Sequence, residues 1–333
     1  MPDEPIRDIA HLGHVELFTP KPDESLYYFT ELLGMEQVHA EGRSAWLRGY
    51  GDYAVSTLKL TEAAKPGVGR LAWRTVSPQA LERRVAAIEA SGLGVGWSNG
   101  DYGRGPSYRF RDPDGHEMDI YYEEQRYIAP AAHRSTLKNL PMKYPAHGVG
   151  VRRSDHVALM CADVGPNRKF MERVLGFALR EQVVYEHGTR EIGSWMSATS
   201  SHHEIAYVLD PTGSHGRLHH FSLWADNRDD VLRAADIFRE NDIFIEAGPA
   251  KHNNSQAFYI YSYEPGGNRV EIYTGSFLIF APDFEPVVWD ESARGTGVYW
   301  GGALPDSFLH YATPFVVPQP APGTPAVPVI DPH

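Results

Sequence analysis

The chain has 333 residues, 42% of them hydrophobic and 22% charged, a soluble globular composition with room for two ordinary domains. Its 31 Lys and Arg against 43 Asp and Glu leave a formal charge of −12, which excludes nucleic acid and anionic membranes as expected partners, because both demand clustered cations. The single cysteine, Cys161, excludes an internal disulfide, and no apolar run approaches the roughly 18 residues of a membrane span.

Taken in order, the chain opens without a basic segment leading into an apolar one, so no leader is expected, and a reducing cytoplasm is the expected home. His14-Val15-Glu16-Leu17-Phe18 then alternates as a strand does. A helix is expected next: Asp23 or Ser25 can cap it, Leu26, Phe29 and Leu33 share a face, and Gly34 supplies the stop. Strands follow around Ala45-Trp46-Leu47, Tyr53–Leu58 and Gly69–Trp73. Ser77 with Pro78 starts a second helix, with Leu81, Val85 and Ile88 as its buried stripe and Gly92 as its end. The turn Asp112-Pro113-Asp114-Gly115 leads to the strand His116–Tyr121. Residues 123–152 carry Pro130, Pro141 and Pro145 with no sustained period, and read as a connection between halves.

The second half of the chain repeats the first. Gly13–Leu17 matches Asp155–Leu159, and Leu33-Gly34-Met35 matches Leu175-Gly176-Phe177, both 142 residues apart. Gly69–Trp73 matches Gly216–His220 at 147, and Asp112–Gly115 with Asp119-Ile120-Tyr121 matches Glu264–Gly267 with Glu271-Ile272-Tyr273 at 152. Slowly growing offsets are what loop insertions produce in a duplicated domain. The expected organisation is therefore an N-terminal unit at residues 1–125, a connection at 126–152, a second unit at 153–312 and an extended proline-rich tail at 313–333. No chemistry is expected of the tail.

The chemistry concentrates in the second unit. The run Gly216-Arg217-Leu218-His219-His220-Phe221 places two adjacent histidines on a strand, one on each face by simple alternation. His156 and Glu271 lie on further strand-like runs. Two imidazoles and one carboxylate from three strands make a facial triad of the non-haem Fe(II) type, open opposite its protein ligands, and a small neutral or chelating substrate suits it. Spacing alone does not decide between His219 and His220. In the first unit the matching positions read His14, Trp73 and Asp119, so one imidazole is replaced by an indole and a single metal site is expected. His203, at the start of a strand, has no counterpart near residues 50–60 and could serve as acid and base, or be a solvated loop residue. His252 reads either as a hydrogen-bond acceptor for a substrate hydroxyl or as a loop surface residue. Tyr259, Tyr261 and Tyr263 share a face, and a tyrosine there is by default a core residue. Cys161 is expected to be buried and inert.

Together the Leu218-His219-His220 run, the Asp155–Met160 strand and Pro265–Glu271 resemble the type I extradiol ring-cleaving dioxygenases of the vicinal oxygen chelate superfamily, in particular the catechol 2,3-dioxygenases. The resemblance implies an α+β fold of four βαβββ modules paired into two similar domains. It implies Fe(II), occasionally Mn(II), on His156, His220 and Glu271, which selects the second histidine of the doublet. It further implies His203 as acid and base, His252 and Tyr261 in contact with substrate or intermediate, Trp195 as a pocket wall, and a homotetramer. The reaction implied is cleavage of a catechol by O₂ to a 2-hydroxymuconic semialdehyde. Relatives that take carboxylated catechols carry arginines where this chain has Ala247, Thr296 and Gly297, so a neutral catechol or alkylcatechol is expected. A 2-oxo-acid-dependent oxygenase of the same superfamily and a metal-free ligand-sequestering protein are the competing readings.

Overall fold

Val15 and Leu17 on one strand, and Val157, Leu159 and Cys161 on another, are fully buried at alternate positions, which fixes the core face of each strand. In the computed structural model, which describes residues 7–315 apart from residue 296, these strands open equivalent units. The first unit runs β1 (Ile9–Thr19), α1 (Pro22–Tyr27), β2 (Glu36–Glu41), β3 (Ser44–Arg48), β4 (Leu58–Glu62), then β5 (Gly67–Thr75), α2 (Pro78–Ala90), β6 (Gly94–Ser98), β7 (Ser107–Arg111) and β8 (Glu117–Tyr121). The second runs β9 (Arg153–Cys161), α3 (Val164–Phe170), β10 (Ala178–Tyr185), β11 (Arg190–Ser197), β12 (Ile205–Leu209), then β13 (Arg217–Trp224), α4 (Arg228–Glu240), β14 (Ile245–His252), β15 (Phe258–Tyr263) and β16 (Arg269–Thr274). Each unit is two βαβββ modules, and the fold is α+β as expected.

Within each sheet the modules join through an antiparallel pair of their first strands, giving β2-β3-β4-β1-β5-β8-β7-β6 and β10-β11-β12-β9-β13-β16-β15-β14. The second sheet gains β17 (Val287–Trp289) beside β10, β18 (Val298–Trp300) beside β14 and β19 (Thr313–Pro314) beside β13. A short helix, α5 (Asp306–His310), precedes β19. Thr313 and Pro314, assigned from sequence to the tail, thus belong to the sheet, and Thr313 is buried. The rest of that proline-rich stretch, residues 316–333, lies outside the described residues. The connection at 126–152 has little regular structure but is packed: Tyr127, Ala129, Leu140 and Met142 are buried in one small cluster with Tyr50 and Val55.

Local signals set most helix ends. Ser77 Oγ accepts from Ala80 N at 3.0 Å with Pro78 behind it, and Gly92 takes φ +75° just past the end of α2. The expected cap of α1 is a correction. The cap position is Lys21, no side chain caps it, and Ser25 is buried with its hydroxyl on Thr19 and Glu264, so long-range pairing claimed the residue. One hydrophobic core runs through both units, with Tyr28 stacked on Phe238 and Trp73 edge-on to Phe177.

Strand register also corrects the internal alignment. Val15 pairs with Leu71 as Val157 pairs with Phe221, and Ala72 with Asp119 as Ser222 with Glu271. The counterpart of His220 is therefore Arg70, one residue before Leu71. Trp73 answers to Leu223, and both are fully buried core residues. The sequence match slipped because loops of different length precede β5 and β13.

Candidate metal centre

β9, β13 and β16 are neighbours, and each presents one donor on the face opposite the core. Nε2 of His156, Nε2 of His220 and a Glu271 oxygen are all buried and lie within 4.8 Å of one another. The His156 and His220 Nε2 atoms stand 3.2 Å apart, and Glu271 Oε2 lies 3.0 Å from the first and 3.5 Å from the second. Donors about 2.1 Å from one ion at right angles stand about 3 Å apart, so the spacing fits one divalent ion. Glu271 Oε2 has no oriented hydrogen bond despite full burial, which is the condition of a carboxylate oxygen shaped for a cation.

A β-bulge delivers His220. Between Leu218 and His220 the strand advances two residues while its partner advances one, from Leu159 to Ala158. Simple alternation, which put His219 and His220 on opposite faces, is overturned there: their Nδ1 atoms meet at 2.6 Å. His219 Nε2 lies 2.7 Å from the Phe308 carbonyl and must donate to it, so His219 Nδ1 accepts from His220 Nδ1–H. His220 Nε2 is left with a free lone pair. His156 obtains the same orientation from Asp155 Oδ2, 2.8 Å from its Nδ1.

The other expected residues gather here. His203 precedes β12, and its ring centre is 4.0 Å from that of His156. Its Nδ1 is 2.8 Å from His202 Nδ1, and His202 Nε2 is 2.8 Å from Glu181 Oε1, so this relay also leaves the outer His203 Nε2 as an acceptor. His252 ends β14 rather than lying in a loop; its Nε2 is 3.1 Å from Tyr261 Oη and 3.3 Å from Glu271 Oε1, and its ring stacks on Tyr259. Tyr261 is directly opposite Glu271 across the β15–β16 pair. Trp195 is half-buried, in a row that passes through Ala206 and Ala158 to His220, two strands or about 10 Å from the strand of His156. It borders the site rather than touching the donors. The orienting contacts of His202, Glu181, His219 and Asp155 escaped the sequence; their one signal is that three of them directly precede a histidine of the cluster.

Burial governs the charges. It opposes a cation on His156, but the Asp155 and Glu271 carboxylates outweigh it and lift the imidazole to about 9. Burial also opposes charge on Glu271, yet contacts with His156 and His252 hold it well below the usual carboxylate range. His220 and His203 are both pushed well down, chiefly by burial, and stay neutral. Burial and the Glu271 charge keep the Tyr261 phenol protonated.

Paired βαβββ sheets with a buried His-His-Glu cluster on one of them define a metalloenzyme of the vicinal oxygen chelate type. The sequence matches the Glyoxalase/Bleomycin resistance protein/Dioxygenase superfamily over residues 11–120 and 153–272. It is 46% identical to a metapyrocatechase of Geobacillus stearothermophilus over 93% of this chain and 95% of that one. It is 39% identical to a manganese-dependent 2,3-dihydroxybiphenyl 1,2-dioxygenase of Geobacillus genomosp. 3, over 89% and 94%. The 2,3-dioxygenase LapB of Pseudomonas sp. KL28 superposes with a TM-score of 0.79 at 26% identity, over 86% of this chain and 98% of that one. The chain belongs to this superfamily, among its extradiol ring-cleaving dioxygenases.

Proposed function

We propose that the protein opens the ring of a neutral catechol or alkylcatechol beside its two hydroxyls, with O₂, at an Fe(II) ion held by His156, His220 and Glu271. The Glu271 Oε2 atom, buried without an oriented hydrogen bond between the Nε2 atoms of His156 and His220, carries this reading. The ion would supply a seat for both catechol oxygens and an electron path from ring to O₂. Mn(II) suits the same donors, as the manganese-dependent relative illustrates.

The protein groups divide the remaining work. His252 and Tyr261, hydrogen-bonded at 3.1 Å, would orient the substrate oxygens beside Glu271. His203 Nε2 would take a proton early and return it on ring opening; its depressed basicity leaves it neutral beforehand and favours the return. Trp195 would close the pocket wall. Ala247 lies in an apolar cluster with Ala250, Tyr259 and Tyr261, so a carboxylate side chain on the substrate finds no cation there. Thr296 lies outside the described residues. The reading makes 153–312 the catalytic unit and 1–125 its structural partner. By its resemblance to the family the protein is a homo-oligomer, a tetramer in this reading, and a ferrous site suits a reducing cytoplasm. No described helix is long and apolar enough to cross a membrane.

The test is chelation, reloading with Fe(II) or Mn(II), and a catechol panel followed by O₂ uptake and the yellow product. One ion per chain is expected, with turnover needing no 2-oxo acid and favouring uncharged catechols. Metal-loaded protein that consumes no O₂ with any catechol would sink the reading.

A further inference from the structure

The first sheet holds a cavity at the place equivalent to the metal centre, and it has been rebuilt. Register puts His14 where the second unit has His156, Arg70 where it has His220 and Asp119 where it has Glu271. These three residues line one cavity of about 210 Å³ together with Arg104 and Arg109, a space on the order of seven waters. Arg70 Nε stands 3.9 Å from Asp119 Oδ1, loosely filling the place of the second ligand. Three guanidiniums around one carboxylate repel a divalent cation. Of the other lining acids, Glu16 pairs with Lys59 at 3.3 Å, and Asp101 pairs with Lys59 at 3.0 Å and with Arg104 at 3.6 Å, so the four lining cations outnumber the three carboxylates by one.

The polar atoms here lack partners. His14 Nε2, Asp119 Oδ1 and the Nε atoms of Arg70, Arg104 and Arg109 are all buried without a hydrogen bond. His14 is 1% exposed, so its N–H or lone pair can find a partner only inside the cavity. Each such buried orphan is costly when nothing fills the space. Burial, with Arg104 and Lys59 nearby, holds His14 neutral, so it can donate one N–H without adding charge. The unmet need is thus for a small group with several acceptor oxygens and negative charge.

We propose that this cavity in the first unit is an anion site, in which Arg70, Arg104, Arg109 and His14 hold a small oxyanion, an inorganic one or a short carboxylate. Charge-assisted bonds from several guanidiniums to one anion are strong and directional. Duplication thus leaves one cavity in two opposite forms: His, His and Glu for a cation, and His, Arg and Asp ringed by arginines for an anion. The site stands apart from the catalytic reading and does not depend on it.

Full-length protein would be titrated with phosphate, sulfate and acetate at ionic strength matched by chloride, reading melting temperature and calorimetric heat. Saturable stabilisation by at least one anion beyond chloride is expected, with phosphate or sulfate stronger than acetate if the ligand is inorganic and acetate stronger if it is a carboxylate. Arg70→Met should weaken that binding at least about tenfold, and leave catechol turnover within about twofold since Arg70 lines the cavity of the other sheet. Arg109→Met serves as a second variant should Arg70→Met fold poorly. Crystals soaked in selenate should show an anomalous peak between the three guanidiniums. Stabilisation no greater than chloride gives, binding unchanged in both variants, or a divalent cation in that place would each overturn the proposal.

Discussion

Each of the three imidazoles at the centre is oriented by the side chain directly before it: Asp155 for His156, His202 for His203, His219 for His220, at 2.8, 2.8 and 2.6 Å between the nearest atoms. All three contacts are made at Nδ1, so the Nε2 atoms are the ones left for metal or substrate. The roles of these pairs differ, which gives a testable split. Asp155→Ala removes the acceptor that fixes a ligand and should weaken metal affinity by about 10–100-fold. His202→Ala cuts His203 off from Glu181 and should lower kcat by a similar factor while leaving metal content at one per chain. Metal analysis beside steady-state kinetics reads both, and metal loss in the His202 variant would contradict the division. His156 and Glu271 were legible in sequence because plain alternation placed them. The orientation of His219 was not, because a bulge changes which face a residue takes without leaving a mark in residue types.

The bulge in β13 is held by a neighbouring element. Arg269 on β16, 1% exposed, forks onto Glu246 of β14 at 2.5 and 2.8 Å. Its remaining N–H groups reach the carbonyls of His219 at 2.9 Å, Tyr311 at 2.9 Å and Ser307 at 3.1 Å. One guanidinium thereby ties the bulge to α5 and the chain after it, and α5 returns the Phe308 carbonyl to His219. Arg269→Met would leave the Glu246 carboxylate buried and unpaired, a loss of about 3–5 kcal/mol. Denaturant unfolding should show that loss, and limited proteolysis should cut faster near residues 306–311. A variant unchanged in both would mean that α5 is held by its apolar contacts alone. Sequence showed the long elements here and missed the short ones. Ser77 and Gly92 mark α2 by local chemistry, whereas β17, β18, β19 and α5 span only 2–5 residues and owe their form to the sheet they join. The π-helical turns Tyr28–Leu32 and Met171–Leu175 likewise follow helical spacing too closely to be told from α-helix.

At the scale of the whole molecule the two units grip each other through equivalent loops. The turn at Asp112–Gly115 ends on His116, whose Nε2 reaches the Met160 carbonyl of the second unit at 3.1 Å. The turn at Glu264–Gly267 ends on Asn268, whose Nδ2 reaches the Phe18 carbonyl of the first unit at 2.9 Å. Asp112 and Glu264 each accept backbone N–H bonds within their own loop and one hydroxyl from the other unit, from Tyr207 and Ser25 respectively. The repeated turn was visible in sequence, but its function was not, since nothing in a turn motif says which unit it touches. His116 and Asn268 do the same job with different chemistry, and only one of them titrates. Burial disfavours a charged His116, but the Asp112 carboxylate, 2.7 Å from Nδ1, outweighs it, with Asp114 adding to the effect, and raises the imidazole above its ordinary value. The other groups facing it, Tyr207 and Phe315, are ring contacts. With both nitrogens on acceptors, the fold favours the imidazolium form. A raised folded value means that its stabilisation is complete below about 6.5, the unfolded value, and is lost as pH rises through the folded one. His116→Asn copies Asn268, whose amide bonds both Phe18 and Glu264, so the variant should fold. It should be less stable than the parent near pH 6 by about 1–3 kcal/mol, and the two curves should converge as pH rises through the folded value. Thermal unfolding of both proteins from pH 6 to 9 measures this; parallel curves would show that His116 is neutral in the fold.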